Sequence, residues 1–500
     1  MASNYLLHAL PPVREKRLKP CIAFGGTPCA LRERSQRPCV DPGERTFSQG
    51  SICLLLPALG TLASLPDTAV LLHGAVGCGS SCHAATANSR SGSNARWGQP
   101  KDSLWMSTAM NEIDVISGGE RKLANAIVDI DRQHELKAIV VVSGCVPGIT
   151  GDDIESVISD TQPRVRAKLV PVHCEGFKTK IWATAYDAYY HGFGRHLFDP
   201  PENAAAISDE EVARTVNLFN VSSMGRVDEL ELIRLLERLG LKVNVFPVFS
   251  KPDEMYRVTK AALSISTCPT HDDYIIAHLR DKYGIPAVLR HMPIGIESTG
   301  EWLREVAAFF GKGAEADAIV SEEEAELRAG LAPLLSTLKD KRVFLSAGEF
   351  RALATANLLC ELGMNLVAVR PFHHDDFAEV EYAKLERNAG DYALNIANCQ
   401  PFEEANLIRR LKPDLFLGHL AGNSTASKLG IATHTIYHIG LSYVGYGGAY
   451  QVARRLTRQL RNPALHQHFA RNLSLPYRRG WYASDPYQYI KNSAAVQADV

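Results

Sequence analysis

The sequence predicts an α/β protein built from three Rossmann-like, doubly wound parallel-sheet domains, and three observations carry that expectation. Short apolar, β-prone runs recur along the chain, each bounded by Gly, Pro or polar turn residues. Amphipathic helical stretches alternate with them, which makes βαβ units and hence parallel sheets. Residues able to carry chemistry follow the C-terminal ends of several runs, where open α/β sheets bind ligands. At ordinary domain sizes 500 residues make about three domains, and a 46% hydrophobic content is ample for their cores.

Residues 1–45 read as an irregular arm, with Pro11-Pro12, a basic patch, and Cys21, Cys29 and Cys39 spaced too widely for a zinc knuckle. The first α/β domain is expected over 46–205. Its strand Thr68–Leu72 delivers His73 and Cys78 through a glycine-containing loop. A Ser/Asn/Gly-rich loop is expected over Ser80–Gly98, then a helical pattern through Ile130. The strand Lys137–Val142 leads to Cys145, and Lys168–Val172 leads to His173–Phe177. The second domain, 206–335, has strands at Thr215–Asn220, Leu241–Phe246 and Ala262–Ser266, the last ending at Cys268. A charged helix, Ser321–Leu338, leads on to the third domain, 336–500. There the strands Arg342–Ser346, Leu366–Val369 and Pro413–Gly418 precede a glycine- and aromatic-rich loop over His434–Tyr446.

A net charge of -1 argues against a nucleic-acid partner. No run approaches the ~20 apolar residues that span a bilayer, and Met1–His8 lacks the basic start of a signal peptide. A cytoplasmic protein is therefore expected. Eleven cysteines in such a chain favour metal or redox chemistry over a disulfide framework. Cys53, Cys78 and Cys145 suggest half of an iron–sulfur cage, although spacing alone favours three inert buried thiols.

An ordered set of motifs sharpens this. It comprises His73–Cys78, Ser117–Leu123, Cys145 with Gly151–Ser156, Val172–Phe177, Asp281–Pro286, Leu362–Met364, Lys412–Asp414 and Tyr443–Gly448. Together these resemble the nitrogenase component 1 family, its α-type chains in particular, over roughly residues 40–460. The resemblance implies three Rossmann-like domains in an α2β2 assembly with a homologous β-type subunit. It implies Cys53, Cys78 and Cys145 as this chain's ligands to an [8Fe-7S] P-cluster shared with that subunit, soft thiolates being suited to iron–sulfur clusters. Cys268 matches the ligand to one end of a large FeMo-cofactor-like or all-iron cluster, with molybdenum, vanadium or only iron in it. Either His434 or His438 matches the ligand at the other end.

Departures from the dinitrogen-reducing pattern bear on substrate. By the resemblance, Tyr186 stands where those chains carry histidine, Trp182 where they carry glutamine, Thr86 where they carry arginine, and Ala421 where they carry the lysine of the homocitrate pocket. Arg351 matches the arginine beside the cofactor. A polycarboxylate buried without its cation is costly, whereas an aromatic-lined pocket suits a small, weakly polar substrate. The chain therefore resembles the catalytic subunit of nitrogenase-like methylthio-alkane reductases. That implies C–S cleavage of a small thioether such as dimethyl sulfide, with electrons from a [4Fe-4S] ATP-dependent iron-protein-like reductase. A cofactor-assembly scaffold and a divergent nitrogenase α chain are the alternatives; a dark-operative tetrapyrrole reductase would not need Cys268 and the histidine.

Overall fold

The computed structural model describes residues 2–35, 40–49, 53–101, 103–202, 204–220, 225–289, 292–436, 438 and 440–491. Cys39 lies outside them. The chain divides into two compact units: 1–17, 53–229 and 236–289 in one, 18–52, 230–235 and 290–500 in the other. Strand β1 (Ala23–Gly26) belongs to the second unit.

The first unit holds two four-stranded parallel sheets. One is formed by β2 (Thr68–His73), β3 (Leu104–Ser107), β4 (Ala138–Ser143) and β5 (Lys168–His173), in the order β3-β2-β4-β5. Every residue of β2 and β4 is buried, as expected of strands covered on both faces. Leu123, Ile127 and Ile130 of the helix Glu120–Gln133, with Ile154, Val157 and Ile158 of the helix Ile154–Thr161, pack against one face. The other sheet contains β6 (Thr215–Phe219), β7 (Lys242–Phe246), β8 (Leu263–Ile265) and β9 (Ala287–Val288), in the order β7-β6-β8-β9. In each sheet the first strand has its successor on one side and the third strand on the other. That places a topological switch point between β2 and β4, and another between β6 and β8.

The second unit holds β10 (Arg342–Ala347), β11 (Asn365–Pro371), β12 (Ala393–Ala397), β13 (Leu415–Gly418) and β14 (Ala432–Thr435). The order β1-β12-β11-β10-β13-β14 puts its switch point between β10 and β13. Only β1 runs antiparallel, pairing Ala23 with Ala397 through to Gly26 with Leu394.

Three expectations need correction. The Ser80–Gly98 segment is not a loop but most of a 19-residue helix, Gly79–Trp97. Its buried face is made of Cys82, Ala85, Ser89, Gly92 and Ser93, so small side chains at helical spacing, not large apolar ones, seat it on the helix Leu55–Leu62. The arm is not irregular throughout, since it supplies β1 and the helix Pro28–Arg34. His434 lies in a strand, held by pairing with Leu417 of β13.

The start of the chain is pinned by charge. Arg14, with none of its surface exposed, sends Nη1 to Asp273 Oδ1 at 3.0 Å and to the Thr270 carbonyl at 3.1 Å. Arg17 donates to Asp187 Oδ2 at 2.8 Å and also pairs with Asp273. Glu15 accepts from the Ile181 N–H at 3.2 Å and from Thr179 and Lys180, gripping the segment that carries Trp182. Among the described residues, no helix is long and apolar enough to cross a membrane.

Candidate cluster centres

Register builds the first centre. His73 of β2 pairs with Ser143 of β4, and Ser143 with His173 of β5, so the three strands end side by side. The loops beyond them carry Cys78, Cys145 and Gly176 around the β2/β4 switch point. A Cβ on Gly176 would lie 3.0 Å from Cys53 Sγ and 3.6 Å from Cys145 Sγ. Those two sulfurs are therefore no farther apart than the sum of these distances, and only glycine leaves room beside them. Burial raises the Cys78 thiol pKa, and charge on Cys145 and Cys53 raises it further, so all three sulfurs are within electrostatic reach. Such a donor set fits a thiolate-bound iron–sulfur cluster. Among the described residues no three His, Cys, Asp or Glu side chains close around a single metal ion.

The motif residues around the cage are struts. His73, fully buried, has Nε2 3.0 Å from Asp152 Oδ2 and Nδ1 3.0 Å from Thr108 Oγ1. Burial lowers its pKa despite Asp152, so the neutral ring donates from Nε2 and accepts the Thr108 hydroxyl. Asp152 Oδ2 also accepts from the Gly119 N–H at 3.1 Å, tying the Cys145 loop to the Ser117–Leu123 motif. The cage opens onto an apolar surface, with Val76 72%, Ile149 73% and Phe177 55% exposed beside the three cysteine loops.

His173 is a second strut, its Nε2 3.1 Å from Glu155 Oε1 and its Nδ1 3.5 Å from Glu175 Oε1. Burial opposes its charge, yet the two carboxylates raise its pKa above the ordinary value. Folding thus favours the protonated ring, and this stability is complete below about pH 6.5 and lost as pH rises through the raised value. Thermal melts of wild type and His173→Gln should differ most at about pH 6 and converge on alkalinisation. A gap that widens with pH would refute this role.

In the first unit Cys268, 4% exposed, lies three residues past the end of β8 and immediately precedes the helix Pro269–Tyr283. Its N–H donates to Ser266 Oγ at 2.9 Å. Three residues on, the His271 ring lies 4.1 Å from the Tyr186 ring, and Trp182 lies 6.3 Å from Tyr186. Tyr186 and Trp182 were expected from sequence; His271 was not, because only the crossing of two helices brings it to Tyr186. Thr86 turns its hydroxyl to the Cys82 carbonyl at 3.1 Å, with Ser103 Oγ at 3.3 Å, and so serves its own helix.

In the second unit Arg351 lies past the end of β10 and is buried, its guanidinium 5.8 Å from the Tyr443 ring. Arg455 stands 5.1 Å from that ring, and the His434 ring stacks on it at 6.0 Å. His434 Nε2 accepts from Arg455 Nε at 3.4 Å, and burial, aided by Arg455 and Arg458, lowers its pKa to about 4. His438 is exposed, and its Nδ1 accepts the Gly440 N–H at 3.0 Å. His419, at the end of β13, was missed from sequence; burial and then Arg351 lower its pKa to about 4. Ala421 follows on the helix Leu420–Lys428, its side chain outside the described ones. In the arm, Cys21 is buried and its thiol pushed up to about 12 by burial, whereas Cys29 is exposed beside Glu33 at 3.6 Å.

The sequence profile of nitrogenase component 1 type oxidoreductases matches residues 53–461. The chain is 28% identical over 443 residues to the nitrogenase iron-molybdenum cofactor biosynthesis protein NifE of Methanosarcina barkeri, covering 86% of this chain and 89% of that protein. It is 27% identical over 446 residues to the nitrogenase molybdenum-iron protein alpha chain of Azotobacter vinelandii, covering 86% and 85%. A solved structure titled nitrogenase Cp1 at pH 5 superposes with a TM-score of 0.74 at 20% identity, covering 96% of this chain and all of the other.

Proposed function

Because the chain belongs to the nitrogenase component 1 type oxidoreductase family, we propose that it is the catalytic, α-type subunit of a nitrogenase-like reductase that cleaves C–S bonds of methylthio-alkanes. The observation that carries the reading is the aromatic group Trp182–Tyr186–His271 beside Cys268, where a small, weakly polar thioether finds a matching wall. Dimethyl sulfide takes up two electrons and two protons and leaves as methane and methanethiol. Cys53, Cys78 and Cys145 hold one face of a P-cluster-type centre, and the apolar rim of Val76, Ile149 and Phe177 is the surface a β-type subunit covers. The clusters that these cysteines would hold would supply the redox chemistry, with electrons from an iron-protein-like reductase.

Cys268 holds a larger cluster. Tyr186 excludes water and donates a hydrogen bond to a departing thiolate. As the cluster ligand in the second unit we favour His438. Ligation there costs one exposed bond to Gly440, whereas His434 would leave both Arg455 and its stack on Tyr443. His438→Ala should abolish cluster retention and turnover, and His434→Ala should lower them only severalfold; the reverse order would assign the ligand to His434.

The test is turnover by the anaerobically purified complex with its reductase and ATP, with methane, methanethiol and ammonia measured together. Methane and methanethiol in equal amounts with little ammonia is the expected result. Ammonia as the main product restores a divergent nitrogenase. No product, combined with cluster transfer to an apo-nitrogenase, selects the scaffold that the likeness to a cofactor biosynthesis protein keeps in play.

A further inference from the structure

The geometry points to a second binding site in the first unit, a cavity beside β7 that takes an organic phosphate of nucleotide size. β7 is the outer strand, on the far side of β6 from the switch point that carries Cys268. The cavity has a volume of about 370 Å³, enough for a ligand with several functional groups. None of its lining residues belongs to the candidate cluster centres.

Charge defines one side of it. Arg96 Nη2 lies 2.6 Å from Glu229 Oε2, Arg226 pairs with Oε1 of the same carboxylate, and the Asn220 amide donates to Oε2 at 3.0 Å. Arg96 and Arg226 thus converge on one buried carboxylate. Arg257 lines the same cavity and makes no ion pair among the described residues. Lys251 pairs only with Glu254, in an exposed contact of 3.3 Å that contributes little fixed neutralisation. Arg96, Arg226, Lys251 and Arg257 against Glu229 and Glu254 leave a surplus of two positive charges in the lining. Guanidiniums match phosphate oxygens in forked pairs, and a part-enclosed cavity strengthens those pairs relative to water.

An aromatic wall defines the other side. Phe249 has φ 62°, in the left-handed region that a bulky side-chain-bearing residue rarely adopts. The Phe249 N–H is held by Ser64 Oγ at 3.3 Å. Its ring lies 4.0 Å from the Arg96 guanidinium and edge-on to Trp97 at 5.8 Å. Trp97 closes the helix Gly79–Trp97 and keeps its indole 43% exposed at the cavity. Strained residues that the surroundings hold in place gather at ligand sites. Cations facing a half-exposed indole suit a molecule with phosphates at one end and a flat ring at the other.

The test is calorimetric titration of the purified full chain with ADP, pyrophosphate and citrate. ADP should bind saturably and about tenfold more tightly than pyrophosphate, with citrate weakest. Arg257→Ala should weaken ADP and pyrophosphate tenfold or more, whereas Trp97→Ala should weaken ADP alone. Both variants should keep wild-type iron content and melting temperature without ligand, since neither residue touches a candidate ligand. No saturable binding, ADP no tighter than pyrophosphate, citrate as tight as either, or affinities that Arg257→Ala leaves unchanged would each overturn the assignment.

Discussion

Purified Cys78→Ala complex should lose roughly half or more of its iron, together with the reduced-state EPR signal of the thiolate-bound centre. Cys78 is one of the three candidate ligand thiols at the β2/β4 switch point, and alanine leaves an edge of the cluster with no soft donor. Two controls separate this from general damage. Cys82→Ala, four residues on in the helix Gly79–Trp97 that starts just after Cys78, removes a buried thiol whose pKa burial raises to about 11. Cys21→Ala removes one held in the arm at about 12. Neither is a thiolate at neutral pH, and each variant should keep its iron. Unchanged iron and an unchanged signal in Cys78→Ala would end the assignment.

The second large effect is on stability. Arg14→Ala should cost about 3–5 kcal/mol, because it leaves two buried carboxylates, Asp187 and Asp273, sharing Arg17 alone. The melting transition should fall by roughly 3–5 °C. Removing the charges together is milder, so Arg14→Met with Asp273→Leu should regain more than half of the loss. A shift under about 2 °C in Arg14→Ala would show the network to be energetically idle.

The buried strands were legible because an apolar run bounded by turn residues has few other meanings; Thr68–Leu72, Lys168–Val172 and Arg342–Ser346 all fall on observed strands. What escaped lacks that signal. The helix Gly79–Trp97 buries serines, glycine and alanine, which hydropathy does not register. β14, Ala-Thr-His-Thr, owes its place to β13. The cysteines were legible as chemistry, but their meeting at Gly176 depends on strand register and on a segment that starts before the first helix of that sheet. The Tyr186–His271 ring contact joins residues 85 positions apart in the chain and leaves no local trace.

The pairing of β1 with β12 has a consequence for how the molecule is made. Ala397, the partner of Ala23, is synthesised 374 residues after it. Until then Phe24 and its neighbours have no edge to join, although most of the first unit has already been synthesised. The nascent chain therefore carries an unpaired strand while those residues are made, and the sheet that contains it is completed only after β14 has emerged. Two glycines in four residues, Gly25 and Gly26, give that waiting strand little appetite for foreign partners.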